Sequence, residues 1–330
     1  MGHRRHSAPR RGSLAYLPRG RAKSMEARIR AWPKIDSDEP KLLGYAGFKA
    51  GCVQLVSIDD REKTPNHGKQ LVSLGTVIVT PPNLIVGMRC YSNDANGKHV
   101  YSDFYANNLP KNVSSLIKSN DKQDVPEFLE KDFKKIEDVY ALIAVTPKNI
   151  GLEQKKPYVF EASVSGGDVK KQFEFVKDLL GKEVKIDQIF EAGSAVDTAA
   201  ITKGKGWEGP ITRWGVKRKQ HKSRKSVREV GSLGPISPQY VMYTVPRAGQ
   251  RGLHQRIEYN KKIMVMDNTE NIKYDINPKG GFKHFGNVNG DFIILRGSVP
   301  GTYKRLIKLR TQIRNAPAKI TKPNILEVVV

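Results

Sequence analysis

Between Thr202 and Arg256 the chain places thirteen Lys or Arg residues against two acids, Glu208 and Glu229. Guanidinium and ammonium groups at this density suit phosphate, which they hold by charge-assisted hydrogen bonds. Lys203 and Lys205 alternate with glycines, and Arg213 adjoins Trp214. Lys217, Arg218, Lys219, Lys222, Arg224, Lys225 and Arg228 follow in a run almost empty of apolar residues. Arg247, Gln250, Arg251, His254 and Arg256 close the stretch. Such a segment buries too little apolar surface to offset its ordering entropy, so it needs a partner to hold a shape. That partner is anionic. A merely solvated face would mix both signs of charge, and this stretch does not.

Residues for enzymatic chemistry are hard to find. The Gly-Lys pairs at Gly68, Gly97, Gly181 and Gly204 are followed by Gln, His, Glu and Gly, whereas a phosphate-binding loop requires Ser or Thr. The sequence holds no CxxC, HExxH or GxSxG. His3 and His6 lie in a basic arm that disfavours a cation, so no metal is expected. His254, between Arg251 and Arg256, reads as a hydrogen-bonding partner for RNA rather than a general base. Asp59, Asp60 and Glu62 read as an acidic turn after a strand rather than a Mg²⁺ site. No catalytic residue, cofactor or small-molecule substrate is expected.

The elements that must position these cations follow from composition. The chain has 330 residues and a formal net charge of +24. Twenty of those charges come from Met1–Lys34 and Ile201–Arg256, while Tyr91–Lys185 carries fifteen of each sign. A body with basic arms points to binding within folded nucleic acid. The N-terminal arm, with His3, Arg4, Arg5, Arg10, Arg11, Arg19 and Arg21, has no helical or strand period, and Tyr16 and Trp32 interleave with its arginines. A smaller basic excess follows Gly301, including Lys304 and Arg305. The longest apolar runs are strand-sized, so no membrane partner is expected. Cys52 and Cys90 sit in apolar strand-like runs and read as reduced core thiols in a cytosolic protein.

Short β-branched and aromatic runs at 42–48, 52–58, 76–80 and 84–91 read as strands of an antiparallel sheet or barrel. Strands are also expected at 142–145, 158–164, 185–190, 195–202, 262–267, 282–285 and 292–298. Helices are expected from Pro126 to Phe133 and over Val169–Leu180, the latter capped by Asp168 and stopped by Gly181. The fold class is therefore mainly β with an α/β insertion. Residues 1–40 form an extended basic arm, 41–91 the first strands, and 92–185 the insertion. Residues 186–202 return to the strands, 203–256 form a long basic central finger, 257–300 complete the sheet, and 301–330 form a basic C-terminal segment. The finger resembles a hairpin, fixed at its base by Gly204, Gly206 and Gly209 on one side and Arg247–Gly252 on the other. Trp207 and Trp214 either stack on bases or close that base as packed aromatics.

Several blocks, in order from end to end, resemble the archaeal and eukaryotic branch of the large-subunit ribosomal protein L three family. They are His3-Arg4-Arg5-His6-Ser7-Ala8-Pro9-Arg10-Arg11-Gly12-Ser13-Leu14, Thr202–Gly209 with Arg213-Trp214-Gly215, Arg247–Gly252, Gly280-Gly281-Phe282, and Gly297–Gly301 with Lys304-Arg305. The resemblance implies a six-stranded β-barrel of the translation-protein type carrying an α/β insertion. It implies a structural RNA binder in the cytoplasmic ribosome that acts early in large-subunit assembly. Its partners would be 23S rRNA and neighbouring large-subunit proteins, with Arg228, Ile236 and Gln239 near a finger tip that approaches the peptidyl-transferase centre. One departure concerns that tip, where relatives carry Trp and this chain has Ile236 within Gly234-Pro235-Ile236-Ser237-Pro238. Ile236 packs on a base but offers no π face. Arg224 stands where some eukaryotic relatives have histidine. A basic RNA-modifying or RNA-processing enzyme with a barrel core is the competing reading.

Overall fold

The computed structural model describes residues 10–116, 133–269, 274–314 and 321–330. The helix expected from Pro126 to Phe133 lies almost wholly outside them. Among the described residues fifteen strands follow in chain order: β1 (Lys41–Leu42), β2 (Gly44–Ile58), β3 (Gln70–Val79), β4 (Asn83–Asp94), β5 (Gly97–Tyr105), β6 (Ile136–Val145), β7 (Tyr158–Ser165), β8 (Glu183–Val184), β9 (Ala195–Ile201), β10 (Trp207–Glu208), β11 (Gly249–Gln250), β12 (Gln255–Asn268), β13 (Asp291–Arg296), β14 (Leu306–Thr311) and β15 (Ile325–Val329). The fold is mainly β.

The chain divides into two compact units, Met1–Met25 with Ile201–Gln255, and Glu26–Ala200 with Arg256–Val330. The second holds two sheets. One runs β1-β7-β6-β4-β5, with β8 on β4. The other runs β14-β9-β12-β13-β3-β2-β15, and β14 also pairs β2, so six of its strands form a closed ring of pairings.

Alternation along the strands decides what is buried. In β13, Ile293 and Leu295 join Tyr45, Ile78, Ile263 and Ile307 in one cluster, while Phe292 and Ile294 join Leu55, Val77 and Val79 in another. Successive strand residues face opposite ways, so both faces of β13 are covered and the strand reads as a continuous apolar run. Gly51 shows how closely the second cluster approaches the ring. A Cβ there would lie 2.2 Å from the Phe282 ring.

The helix Val169–Leu179 buries Phe173 and Val176 against the first sheet, with Phe173 edge-on to Phe104 at 6.3 Å. Asp168 occupies the N-cap position, but its carboxylate makes no capping bond. Gly181 follows the helix with φ at +74°. The strand expected over Lys185–Phe190 is instead a 3-10 turn at Ile186–Gln188, which drives Ile186 and Phe190 into the core. Phe282–Phe285 is a turn closed by a single bridge from Phe282 to Gly286, because glycines at 280, 281 and 286 take positive φ. Cys52 is exposed rather than buried, since it alternates outward from Val53 on β2, whereas Cys90 is buried.

The buried and half-buried charges described next are paired within this unit. Buried Arg310 donates to Asp197 at 2.5 Å and to the Ala31 carbonyl at 2.6 Å. Asp197 also accepts the Asn260 backbone amide at 3.0 Å. Buried Lys49 donates to the Val299 carbonyl at 2.6 Å, and desolvation lowers its pKa from the ordinary lysine value. Arg89 grips Asp103 at 2.7 and 2.6 Å and also pairs with Glu161. The acidic turn is likewise occupied by cations, with Asp59 held by Arg61 at 2.8 and 2.7 Å and Asp60 held by Lys262.

Candidate nucleic-acid interface

The candidate site belongs to the other unit. It starts from a two-residue ladder in which Trp207 pairs Gln250 and Glu208 pairs Gly249. Backbone bonds extend it from Lys205 to the Arg251 carbonyl and from Thr202 to the His254 carbonyl, each 2.9 Å. Gly252 allows this closure. Its φ is +72°, and a Cβ would stand 2.1 Å from the Lys203 carbonyl oxygen. Beyond the ladder the two limbs carry no further strand, because glycine, proline and like charges leave them no alternating apolar face.

A knot of cations and one indole ties the N-terminal arm to this base. The Arg213 guanidinium donates to the carbonyls of Gln250 at 3.0 Å, Arg247 at 3.1 Å and Arg19 at 3.3 Å. Burial lowers its pKa from the ordinary arginine value. Arg19 donates to the Arg213 carbonyl at 2.9 Å and lies 3.7 Å over the Trp214 ring. The Trp214 indole nitrogen donates to the Arg247 carbonyl at 2.9 Å. The arm continues along the same base, where His254 Nδ1–H donates to the Gly20 carbonyl at 2.8 Å and Ala22 to that of Leu253 at 2.8 Å. A carbonyl can only accept, so this contact fixes the imidazole tautomer.

The two tryptophans therefore have different roles. Trp214 is only 7% exposed and closes the base as a packed aromatic, whereas Trp207 is 78% exposed and leaves its ring open. Arg251 donates to Glu208 at 2.7 Å, so its charge is matched within the loop. Gln250 donates to the Arg251 and Gly252 carbonyls at 3.2 and 3.1 Å. No local period encodes these pairings, and the lone acid Glu208 opposite an arginine-rich return limb is their only sign in the sequence.

The remaining expected residues divide by location. Lys203, Lys205, Lys217, Arg218, Lys222, Arg224, Lys225, Arg228, Ile236 and Gln239 are exposed, and Lys219 is half-buried. Lys217, Arg218, Lys219, Lys222, Arg224, Lys225 and Arg228 pair with no carboxylate among the described residues. Ile236 is 90% exposed. Arg10, Arg11 and Arg21 are exposed on the arm. His3, Arg4 and Arg5 lie outside the described residues. Arg256, Lys304 and Arg305 belong to the sheet-bearing unit, where Lys304 and Arg305 exchange backbone bonds with Lys49. Among the described residues no three His, Cys, Asp or Glu side chains gather as a metal site, and no helix is long and apolar enough to cross a membrane.

The chain is similar to known proteins over almost its whole length. The family model for ribosomal protein L3 matches residues 1–329. The chain is 40% identical over 335 residues to the large ribosomal subunit protein uL3 of Methanococcoides burtonii, covering 99% of this chain and 97% of that one. It is 39% identical to the uL3 of Archaeoglobus fulgidus over 329 residues, covering 98% and 97% of the two chains. It is 41% identical to that of Methanocaldococcus jannaschii over 322 residues, covering 96% and 95%.

Proposed function

The chain belongs to the ribosomal protein L3 family, and on that premise we propose that it binds 23S rRNA through its basic arm and finger and so supports early assembly of the large subunit. The family is one of structural proteins of the large ribosomal subunit in the cytoplasm, so the competing reading as an RNA-modifying or RNA-processing enzyme falls away. In this reading the six-strand ring is the translation-protein-type barrel and 92–185 is its insertion. Neighbouring subunit proteins and the RNA hold the finger, whose tip at Arg228, Ile236 and Gln239 approaches and supports the peptidyl-transferase centre.

One observation carries the reading. Seven cations between Lys217 and Arg228 stand on a segment without helix or strand, and among the described residues no carboxylate matches them. Uncompensated charge at this density favours an anionic polymer, whose counterions leave as its phosphates are neutralised. Arg10, Arg11, Arg21, Lys203, Lys205 and Trp207 are exposed in the same unit. Peptide-bond chemistry is left to the RNA, and the protein's part is to hold RNA elements in place.

Deleting 227–240 tests the tip. These residues make few bonds to the rest of their unit, so the variant is expected to fold and to enter large subunits normally. Those subunits are expected to transfer peptides more slowly. Normal incorporation with a normal transfer rate would contradict the tip's role.

A further inference from the structure

Within the arm-and-finger unit lies a pocket of about 350 Å³, lined by Leu17, Trp214, Val241, Met242, Tyr243 and the two flanking arginines Arg213 and Arg247. Its polar groups are largely engaged. The Trp214 indole N–H is held by the Arg247 carbonyl, and Arg213 is fixed by three carbonyls. What faces the space is apolar and aromatic surface. Val241, Met242 and Tyr243 stand in succession and are all exposed, Tyr243 by 77%, where the chain turns through a bond from the Val245 amide to the Met242 carbonyl at 3.1 Å. With exposed Tyr240 just before them, they make four consecutive exposed apolar or aromatic side chains, unusual in a chain with a mean hydropathy of −0.51. At the lip, the exposed Arg247 guanidinium and the Tyr243 hydroxyl have no partner among the described residues.

The geometry points to a slot for one unpaired, extruded nucleobase of the bound RNA, packed among Tyr243, Met242 and Trp214 with its adjoining phosphate on Arg247. This assignment rests on the rRNA-binding reading and deepens it. An aromatic surface with no free donor inside suits the π face of a base and accepts any base. A cation at the lip suits the phosphate attached to it. An aromatic side chain from another protein would fill the same space, but the unmatched cations of the same unit favour the polyanion. The Tyr243 hydroxyl supplies one polar contact, to the base edge or to a ribose 2′-OH.

The test is chemical probing of the cognate large-subunit rRNA, with and without the full-length protein, using base-specific alkylation. Wild-type protein is expected to protect one unpaired base that Tyr243→Ala and Met242→Ala together re-expose by on the order of fivefold or more, the lower end of base–aromatic stacking. Backbone protections elsewhere are expected to persist. Tyr240→Ala changes an exposed tyrosine outside the pocket and is expected to leave that base protected. All of these side chains are exposed, so the variants are expected to fold. Identical protection by wild type and the double variant would overturn the slot while leaving the rRNA reading in place. No protection by wild type anywhere on the rRNA would overturn both. A photo-crosslinker placed at Tyr243 that labels only protein in assembled subunits would also overturn it.

Discussion

The two units handle positive charge in opposite ways. In the sheet-bearing unit, the buried cations are answered. Arg310 meets Asp197, Lys49 meets carbonyls of residues 299 and 301, and Arg89 meets two carboxylates. In the arm-and-finger unit, the knotted base answers Arg213 and Arg251, but the run from Lys217 to Arg228 meets no carboxylate among the described residues. Unmatched cations have little effect on stability while they stay hydrated, and they repel one another. The difference separates charge that holds the fold from charge left open to solvent.

Breaking the internal pairing gives the largest expected effect. Asp197→Ala leaves Arg310 buried without its carboxylate, which costs about 3–5 kcal/mol. Denaturant unfolding should show that loss, and a change under 1 kcal/mol would mean the pair is not what holds β9 and β14 in place. Next comes the knot. Arg19→Ala removes the guanidinium from the Trp214 face, a contact worth about 2 kcal/mol when desolvated. The arm should then be cut by trypsin at Arg10, Arg11 and Arg21 at several times the wild-type rate, and unchanged cleavage would contradict the knot. Replacing Lys217, Arg218, Lys222, Arg224, Lys225 and Arg228 by Gln should change stability by about 0.5 kcal/mol or less, because exposed substitutions without partners stay within that range.

The smallest effect is chemical. Burial, with Asp103 nearby, pushes the Cys90 thiol up to about 12. At pH 8 the native protein should therefore alkylate once, at exposed Cys52, and twice only in denaturant. Because the folded pKa is raised, this burial stabilises below the unfolded thiol's pKa. That contribution fades as pH rises from there towards 12. Two thiols reacting at equal rates in the native state would refute the burial of Cys90.

Much of the fold was legible in alternation. Every strand expected at 42–48, 52–58, 76–80, 84–91, 142–145, 158–164, 195–202, 262–267 and 292–298 overlaps an observed strand, and the helix at 169 ends within one residue of expectation. The failures have a common cause. At 185–190 and 282–285, apolar side chains enter the core from turns, and burial alone imitates a strand. Cys52 misled because β2 is buried on both faces for its first half and alternates only from Cys52 onward. In the candidate site, charge density and the glycines of the base were plain in the sequence. The pairing of Arg251 with Glu208, the His254 contact with Gly20 and the division between buried Trp214 and open Trp207 were not. Each depends on a partner distant in sequence, and no local period encodes it.

The measurement closest to the central claim is the salt dependence of binding to isolated large-subunit rRNA, for the wild type and for the variant with six finger cations changed to Gln. Each phosphate contact contributes about 0.7 to 0.9 to the slope of log K against log salt. The account predicts a steep wild-type slope that falls by about 4 to 5 in the variant, with stability unchanged. Equal slopes for the two proteins would contradict it, and would mean that the unmatched charge of the finger does not meet phosphate.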